Sequence, residues 1–342
     1  MKEIRTVDAV GHILCHDITQ IIKDQKKGVL FKKGHIVREE DIPALLSVGK
    51  EHLFVWEKRE GILHENEAAQ ILYKISADEH MHGSDIKEGK IELIADCDGI
   101  LKIRRDALLA VNSLGEMMIA SRHGDFPVRK GDKIAGTRII PLIIEKEKMD
   151  HAEEAAGEKP IFSILPFHNK KAGIVTTGSE VQKGLIKDTF TPVLREKLDE
   201  YDCSVMGQTT PGDDRKQITE DILKFISEGA DLVICSGGMS VDPDDRTPGA
   251  IKDTGAEIVT YGAPVLPGAM LLLAYYKAGD RTVPVLGLPG CVMYAKRTVF
   301  DLILPRVIAD DRIYAEEIAA YGEGGLCLNC PTCIFPNCGF GK

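Results

Sequence analysis

The sequence predicts an α/β protein: a doubly wound, mostly parallel sheet domain, preceded by a β-rich α+β region. Three observations predict it. From Ala172 onward, short apolar runs alternate with stretches of helical period, as in a parallel sheet covered on both faces. Residues 1–145 instead carry short β-type runs separated by glycine turns. The stretch from Glu145 to Pro160 is charged, rich in small residues and closed by a proline, and it separates the two patterns. The expected organisation is an N-terminal region over 1–145, a linker over 146–168, the α/β domain over 169–310 and an extension over 311–342.

Within the first region, Gly28 to Gly34, His52 to Trp56 and Lys133 to Ile140 read as strands, with Trp56 at a strand end. A short helix is expected over Glu40 to Val48, with Ile42, Leu45 and Leu46 on one face. No chemistry is concentrated there. His80-Met81-His82 is the closest histidine pairing and reads as a solvated loop, and Arg104-Arg105 reads as structural.

In the second region the expected strands are Ala172 to Thr176, Ser204 to Gln208, Asp231 to Cys235, Glu257 to Tyr261, Met270 to Tyr275 and Val283 to Leu286. Helices are expected from Thr191, with Val193, Leu194, Leu198 and Tyr201 at helical spacing, and through Ile218, Ile222, Phe225 and Ile226, ending at Gly229. Thr247-Pro248 fits an N-cap followed by proline at the first helical position. The last helix is expected over Val292 to Leu304, with Pro305 disturbing its end.

A chain of 342 residues has room for two or three domains, and its net charge of −10 argues against general nucleic-acid affinity. No apolar run is long enough for a membrane span and the first residues lack a signal-peptide core, so the cytoplasm is the default expectation. Of the nine cysteines, Cys15, Cys97, Cys203, Cys235 and Cys291 stand singly in apolar surroundings and read as reduced thiols. The other four crowd the C-terminus.

In parallel sheets, ligands gather at the carboxyl ends of the strands, and four loops are expected there. They are Thr177-Gly178-Ser179-Glu180, Pro211-Gly212-Asp213-Asp214, Ser236 to Asp245, and Gly287-Leu288-Pro289-Gly290. Gly237 and Gly238 permit positive φ and close approach of a ligand, and amides in such a turn hold phosphate. The acidic residues Asp213, Asp214, Asp242 and Asp245 would repel phosphate unless Mg²⁺ lies between, or unless one of them works on water. Asp213 and Asp214 read equally well as helix N-caps. Lys183 and Lys187 could contact phosphate.

These motifs, with Ser236-Gly237-Gly238-Met239-Ser240-Val241 and Asp245-Arg246-Thr247-Pro248, resemble the molybdopterin-binding domain of molybdopterin molybdenumtransferases (the MoeA type) and adenylyltransferases (the MogA and MoaB types). The likeness covers roughly residues 170–308. It implies a MogA-like fold, a pterin dithiolene phosphate as ligand, and Mg²⁺-dependent chemistry at adenylated molybdopterin with molybdate as co-substrate. On this resemblance Thr177, Gly178, Ser179, Glu180, Ser236, Gly237, Gly238, Ser240, Pro289 and Gly290 bind the cofactor. Asp213, Asp214, Asp242 and Asp245 hold Mg²⁺, with Asp214, Asp242 and Asp245 catalytic.

The Ser-Gly-Gly-Met-Ser-Val and Leu-Pro-Gly motifs, and the region from Gly28 to Trp56, resemble the molybdenumtransferase branch. Asp245-Arg246-Thr247-Pro248 resembles the adenylyltransferase branch. The chain lacks a Ser-x-Met-Asp-Gly-Tyr-Ala motif, has Cys291 where Asn-Pro usually follows Leu-Pro-Gly, and ends in a short tail instead of a β-barrel. Metal insertion, adenylyl transfer and cofactor delivery to a molybdoenzyme client therefore all stay open, with a homo-oligomer expected.

Cys327, Cys330, Cys333 and Cys338 are separated by two, two and four residues. Four thiolates at this spacing suit a zinc ion or an Fe–S cluster, with soft-metal or sulfur handling also open; the first three match the start of a bacterial ferredoxin run, but the last gap is one residue longer and Gly339 follows Cys338. Gly322, Gly324 and Gly325 before them suggest mobility.

Overall fold

The computed structural model describes residues 2–22, 26–55, 60–240, 242–243 and 245–342. Trp56 and Val241, named above in strand and loop motifs, and Asp244, within the Ser236 to Asp245 loop, lie outside the described residues. The chain divides into two compact units. The first comprises Met1–Asp96, Ile103–Arg122 and Lys130–Ser163, and the second Cys97–Lys102, His123–Arg129 and Ile164–Lys342.

The first unit is α+β, with small antiparallel sheets. Lys2–Arg5 pairs with His52–Val55 and Ile18–Ile22 with Lys26–Phe31. A four-stranded sheet has the order Met81–Gly83, Ile91–Ala95, Lys133–Ile139, Met117–Ser121. The expected short helix is Ile42–Ser47. It buries Leu45 against Ala9, Leu14, Ile18 and Leu53, while Leu46 points outward. The His80 to His82 segment is not a loop throughout, since Met81–Gly83 is a strand and the His82 ring pairs with Asp96 at 2.6 Å. Arg104 is structural: its guanidinium donates to the Ala156 carbonyl at 2.7 Å.

The stretch read as a linker contains a helix, Lys146–Ala156, and a strand, Phe162–Pro166. Its charged residues belong to one helical face, whereas Met149, Ala152 and Ala156 on the other are fully buried. The chain passes between the units more than once, and from Ile164 onward it stays in the second.

The second unit is built on a six-stranded sheet in the order Ser204–Thr209, Lys171–Thr176, Leu232–Ser236, Arg281–Leu288, Leu272–Ala278, Glu257–Tyr261. The first four strands are mutually parallel and the last two pairings are antiparallel. The reversal is local in origin. Gly279 at φ +63° and Asp280 are the only residues between strand ends Ala278 and Arg281, and a two-residue turn makes a hairpin while a parallel crossover needs a dozen or more.

Both faces of this sheet are covered. Along the central strand Leu232 and Ile234 pack with Leu194, Leu198, Phe300 and Ile303, whereas Val233 and Cys235 pack with Ile218, Ile222 and Ile251. Alternate side chains thus enter different cores, which is why the strand reads as a continuous apolar run. Phe225 lies across two glycines: a Cβ on Gly173 would fall 2.5 Å from its ring and one on Gly207 2.9 Å.

The last helix begins later than expected, at Val299–Ile308, after a separate 3-10 turn over Gly290–Met293. Thr298 caps it, its hydroxyl accepting from the Phe300 amide while Asp301 accepts from the Thr298 amide at 2.7 Å. Pro305 sits inside this helix and does not end it. Among the described residues, no helix is long and apolar enough to cross a membrane.

Candidate functional site

Strand register brings the four loops to one edge. Thr176 pairs with Ser236 and Ser236 with Leu288, while Val175 pairs with Thr209. Parallel neighbours ending level must release their loops side by side. The Thr177, Pro211, Gly237 and Pro289 loops are therefore adjacent.

The turn after Leu232–Ser236 needs its two glycines. Gly237 has φ +89° and Gly238 φ +56°. A Cβ on Gly237 would lie 2.7 Å from the Thr177 carbonyl oxygen, and one on Gly238 2.8 Å from Thr247 Oγ1. Around this turn the two threonines form a brace. The Thr177 amide donates to the Ser236 carbonyl at 2.8 Å, and Thr247 Oγ1 donates to the Gly237 carbonyl at 2.8 Å. The two hydroxyl oxygens are 3.1 Å apart.

Thr247 was expected to cap its own helix, but the helix Thr247–Asp253 receives no side-chain cap. The threonine hydroxyl is turned toward the glycine loop instead. Met239 is buried against Gly287, where a Cβ would lie 2.7 Å from its methyl carbon, so the Ser236 to Ser240 loop is packed down onto the Arg281–Leu288 strand. The buried Ser236 hydroxyl has no hydrogen-bond partner among the described residues.

The acidic residues divide by role. Asp214 Oδ1 accepts from the amides of Lys216 and Gln217 at 2.9 and 3.1 Å and so caps the helix Arg215–Ser227. Asp213 Oδ2 accepts from the Ser179 amide at 2.8 Å and ties the second loop to the first. Asp242 is exposed and Asp245 half-buried, joined in a turn by the Asp245 amide donating to the Asp242 carbonyl at 2.9 Å. Among the described residues, no three histidine, cysteine, aspartate or glutamate side chains are gathered to hold a metal ion.

Of the remaining expected ligand contacts, Thr177 and Pro289 are buried, Gly178 and Ser179 partly so, and Glu180, Ser240 and Gly290 exposed. Lys183 and Lys187 are exposed on the same loop.

Two groups of residues escaped the sequence reading. Tyr261 donates its hydroxyl to the Met239 carbonyl at 2.9 Å, closing the glycine loop from the antiparallel edge. Burial, and after it the Asp245 carboxylate, raises its phenol above the ordinary range. A tyrosine at a strand end carries no loop signature, so only the sheet order reveals the contact. The other group centres on Asp188, which accepts from the Phe190 and Thr191 amides at 2.9 and 3.1 Å, from Thr191 Oγ1 at 2.6 Å and from Gln208 at 2.6 Å. Burial alone would raise its carboxyl, but these hydrogen bonds outweigh it and hold the group below its usual range. An Asp two residues before a helix does resemble a cap in the sequence, and that signal could have found it.

Cys235 beneath this edge is fully buried, and burial pushes its thiol well above the ordinary value. It is a packing residue.

Comparison with known proteins follows the division into units. Residues 3–57 match a family described as a domain of unknown function, and residues 173–309 match the probable molybdopterin binding domain. The chain is 26% identical over 220 residues to a molybdopterin molybdenumtransferase from Synechococcus elongatus, an overlap of 61% of this chain and 51% of that protein. It is 26% identical over 189 residues to a putative competence-damage inducible protein of Streptococcus pneumoniae, covering 45% and 44%. The chain thus spans about half the length of the curated relatives it matches. Among solved structures it is similar to the tungsten cofactor synthesizing protein MoaB from Pyrococcus furiosus, with TM-score 0.32, 21% identity, and 36% of this chain against 84% of that one. The residues matching the probable molybdopterin binding domain, 173–309, contain all four loops of the glycine edge.

Proposed function

We propose that the glycine edge binds molybdopterin, that the chain serves molybdenum cofactor biosynthesis, and that it inserts molybdate into adenylated molybdopterin with release of AMP. The observation that carries the reading is the turn at Gly237 and Gly238, held open by Thr177 and Thr247 at the end of a central parallel strand. Positive φ at two successive residues lets backbone amides approach a phosphate closely. The Ser236 hydroxyl, buried without a partner beside this turn, is a further donor suited to a polar ligand.

Mg²⁺ suits the donor set, because it prefers one or two carboxylates completed by phosphate oxygens and water over an all-protein cage. Asp242 and Asp245, which are not spent on capping, would hold it. When bound, Mg²⁺ neutralises phosphate charge. The chain's own residues do the rest. The Gly237 and Gly238 amides orient the pterin phosphate and stabilise charge developing on it. Asp245, set near Tyr261, takes the proton of the water that cleaves the linkage to AMP. Asp213 keeps the Ser179 loop against the Gly212 loop and so shapes the wall of the site.

The Asp245-Arg246-Thr247-Pro248 sequence favours a second reading, adenylyl transfer from MgATP to molybdopterin. Purified protein given adenylated molybdopterin and molybdate should release AMP; pyrophosphate formed from molybdopterin and MgATP would instead support the second reading. Tight pterin binding with neither product would make the chain a carrier delivering finished cofactor to a client enzyme. Asp245→Asn should lower turnover at least about 100-fold, the scale of a lost general base. Full turnover in that variant would remove Asp245 from the mechanism.

A further inference from the structure

A well-formed cavity of the second unit lies away from the glycine edge. It encloses about 460 Å³ between the C-terminal tail and the turn before the last helix. Its lining includes Cys327, Cys330, Cys333 and Cys338, together with Lys296 and Phe335. All four cysteines of the tail therefore border one space, although ten residues separate the first from the last. All four are free thiols.

The tail is docked, contrary to the mobility its glycines suggested. The Cys327 amide donates to the Leu266 carbonyl at 2.8 Å and the Gly341 amide to the Gly324 carbonyl at 2.9 Å. Gly324 and Gly325 are required for close contact: a Cβ on Gly324 would meet the Lys342 carbonyl oxygen, and one on Gly325 the Pro264 carbonyl oxygen. Phe340 is buried in the main core, and Phe335 packs between Phe126 and Phe340 with ring centroids 6.0 Å from each. The loop carrying Cys330 and Cys333 is held from below by Lys296, whose ammonium donates to the Pro331 carbonyl at 2.8 Å.

We infer that this cavity is the seat of a [4Fe–4S] cluster ligated by Cys327, Cys330, Cys333 and Cys338. One zinc ion would need its thiolates within about 3.8 Å of one another, from Zn–S bonds of about 2.3 Å in a tetrahedron. No three of these thiols are gathered for a single ion. A cubane cluster binds each thiolate to a different iron and so takes ligands from around a volume, and all four cysteines line this one cavity. The cavity wall is mainly apolar, with Leu326, Ile334 and Phe340 in its lining, and Lys296 places a positive charge beside the thiolate-rich loop. Both features suit an anionic cluster. Cys330 and Cys333 are exposed, so iron and sulfide can reach the site without unfolding the unit.

The test uses the full chain, purified anaerobically and reconstituted with ferric iron, sulfide and dithiothreitol, one equivalent of which reduces two of every four ferric ions as the cluster assembles. About four iron and four acid-labile sulfide per chain are expected, with a visible absorption that dithionite bleaches. Cys330→Ser should lower bound iron at least about fourfold while the far-ultraviolet circular dichroism stays unchanged, and Cys291→Ser, outside the cavity, should leave iron unchanged. Tight binding of one zinc without labile sulfide would overturn the inference. So would absence of iron after reconstitution, or full iron retention in Cys330→Ser. No pterin enters this assay, so its outcome is independent of the function proposed for the glycine edge.

Discussion

The glycine edge and the cysteine tail are both short, glycine-punctuated loops on the second unit, but they are held in place by different forces. At the edge, backbone register does the holding: Thr176, Ser236 and Leu288 end level in a parallel ladder, and Thr177 and Thr247 brace the turn that follows. In the tail, side-chain volume does it, through Phe335 and Phe340, aided by Lys296 and Lys342 donating to the carbonyls of Pro331 and Pro336. The edge should therefore fail when backbone conformation is disturbed, and the tail when buried volume is removed.

The largest effect should come from Asp301, at the start of the last helix. It is buried, receives Lys197 at 2.6 Å and Arg297 at 2.7 Å, and caps the last helix. Arg297 in turn lies 5.3 Å from the centre of the Phe335 ring. Asp301→Ala leaves the Lys197 ammonium buried without its partner, and urea unfolding should show a loss of about 3–5 kcal/mol. A loss below about 1 kcal/mol would mean that the pair is replaceable by packing.

Phe340→Ala should cost up to about 3 kcal/mol, because a buried ring leaves a cavity behind. Its signature is regional: limited thermolysis should cut the tail while pterin affinity changes less than twofold. Gly238→Ala is the converse. At φ +56°, with a hydroxyl oxygen 2.8 Å from the new methyl carbon, it should cost about 1–3 kcal/mol. Pterin affinity should fall at least tenfold, with the tail still protected from thermolysin. If both variants lose pterin binding equally, the two regions are one cooperative structure and the distinction between them fails.

How much of each region is legible in the sequence follows from the same distinction. The edge was readable because its information is local: strand, glycine turn and helix start recur in order, and parallel strands force their loops together. Asp214 as a helix cap belongs to the same local code. The antiparallel reversal was missed because strand direction depends on a two-residue connection at Gly279-Asp280, not on the strands' own composition. Thr247 was misassigned because capping is the local option for a threonine before a proline, while its actual partners, Thr177 and Gly237, are distant in sequence. The tail was least legible. Cysteine spacing disclosed its chemistry, but Gly324 and Gly325 look flexible unless the carbonyls packed against them are known.

The smallest effect belongs to Asp188, and it tests whether charge as well as register fixes the edge. This carboxylate gathers Thr191, Gln208 and the Phe190 amide, and so ties the end of the Thr177 loop to the Ser204–Thr209 strand and to the helix Phe190–Asp199. Asn at this position keeps one acceptor oxygen but loses the charge, so Asp188→Asn should cost about 1 kcal/mol at pH 7, in the range of a weakened cap. The pH dependence has a definite sign. Since the folded carboxyl lies below its unfolded value, its contribution is complete above the ordinary carboxylate range of about 4 and is lost as pH falls through the lower, folded value. The stability gap between the native chain and the variant, measured by urea unfolding, should therefore be widest near neutrality and shrink in acid. A gap that stays constant from pH 7 to about pH 3 would show that hydrogen-bond geometry alone holds this corner. The edge would then depend on backbone register and neutral contacts throughout, and its contrast with the tail would be sharper still.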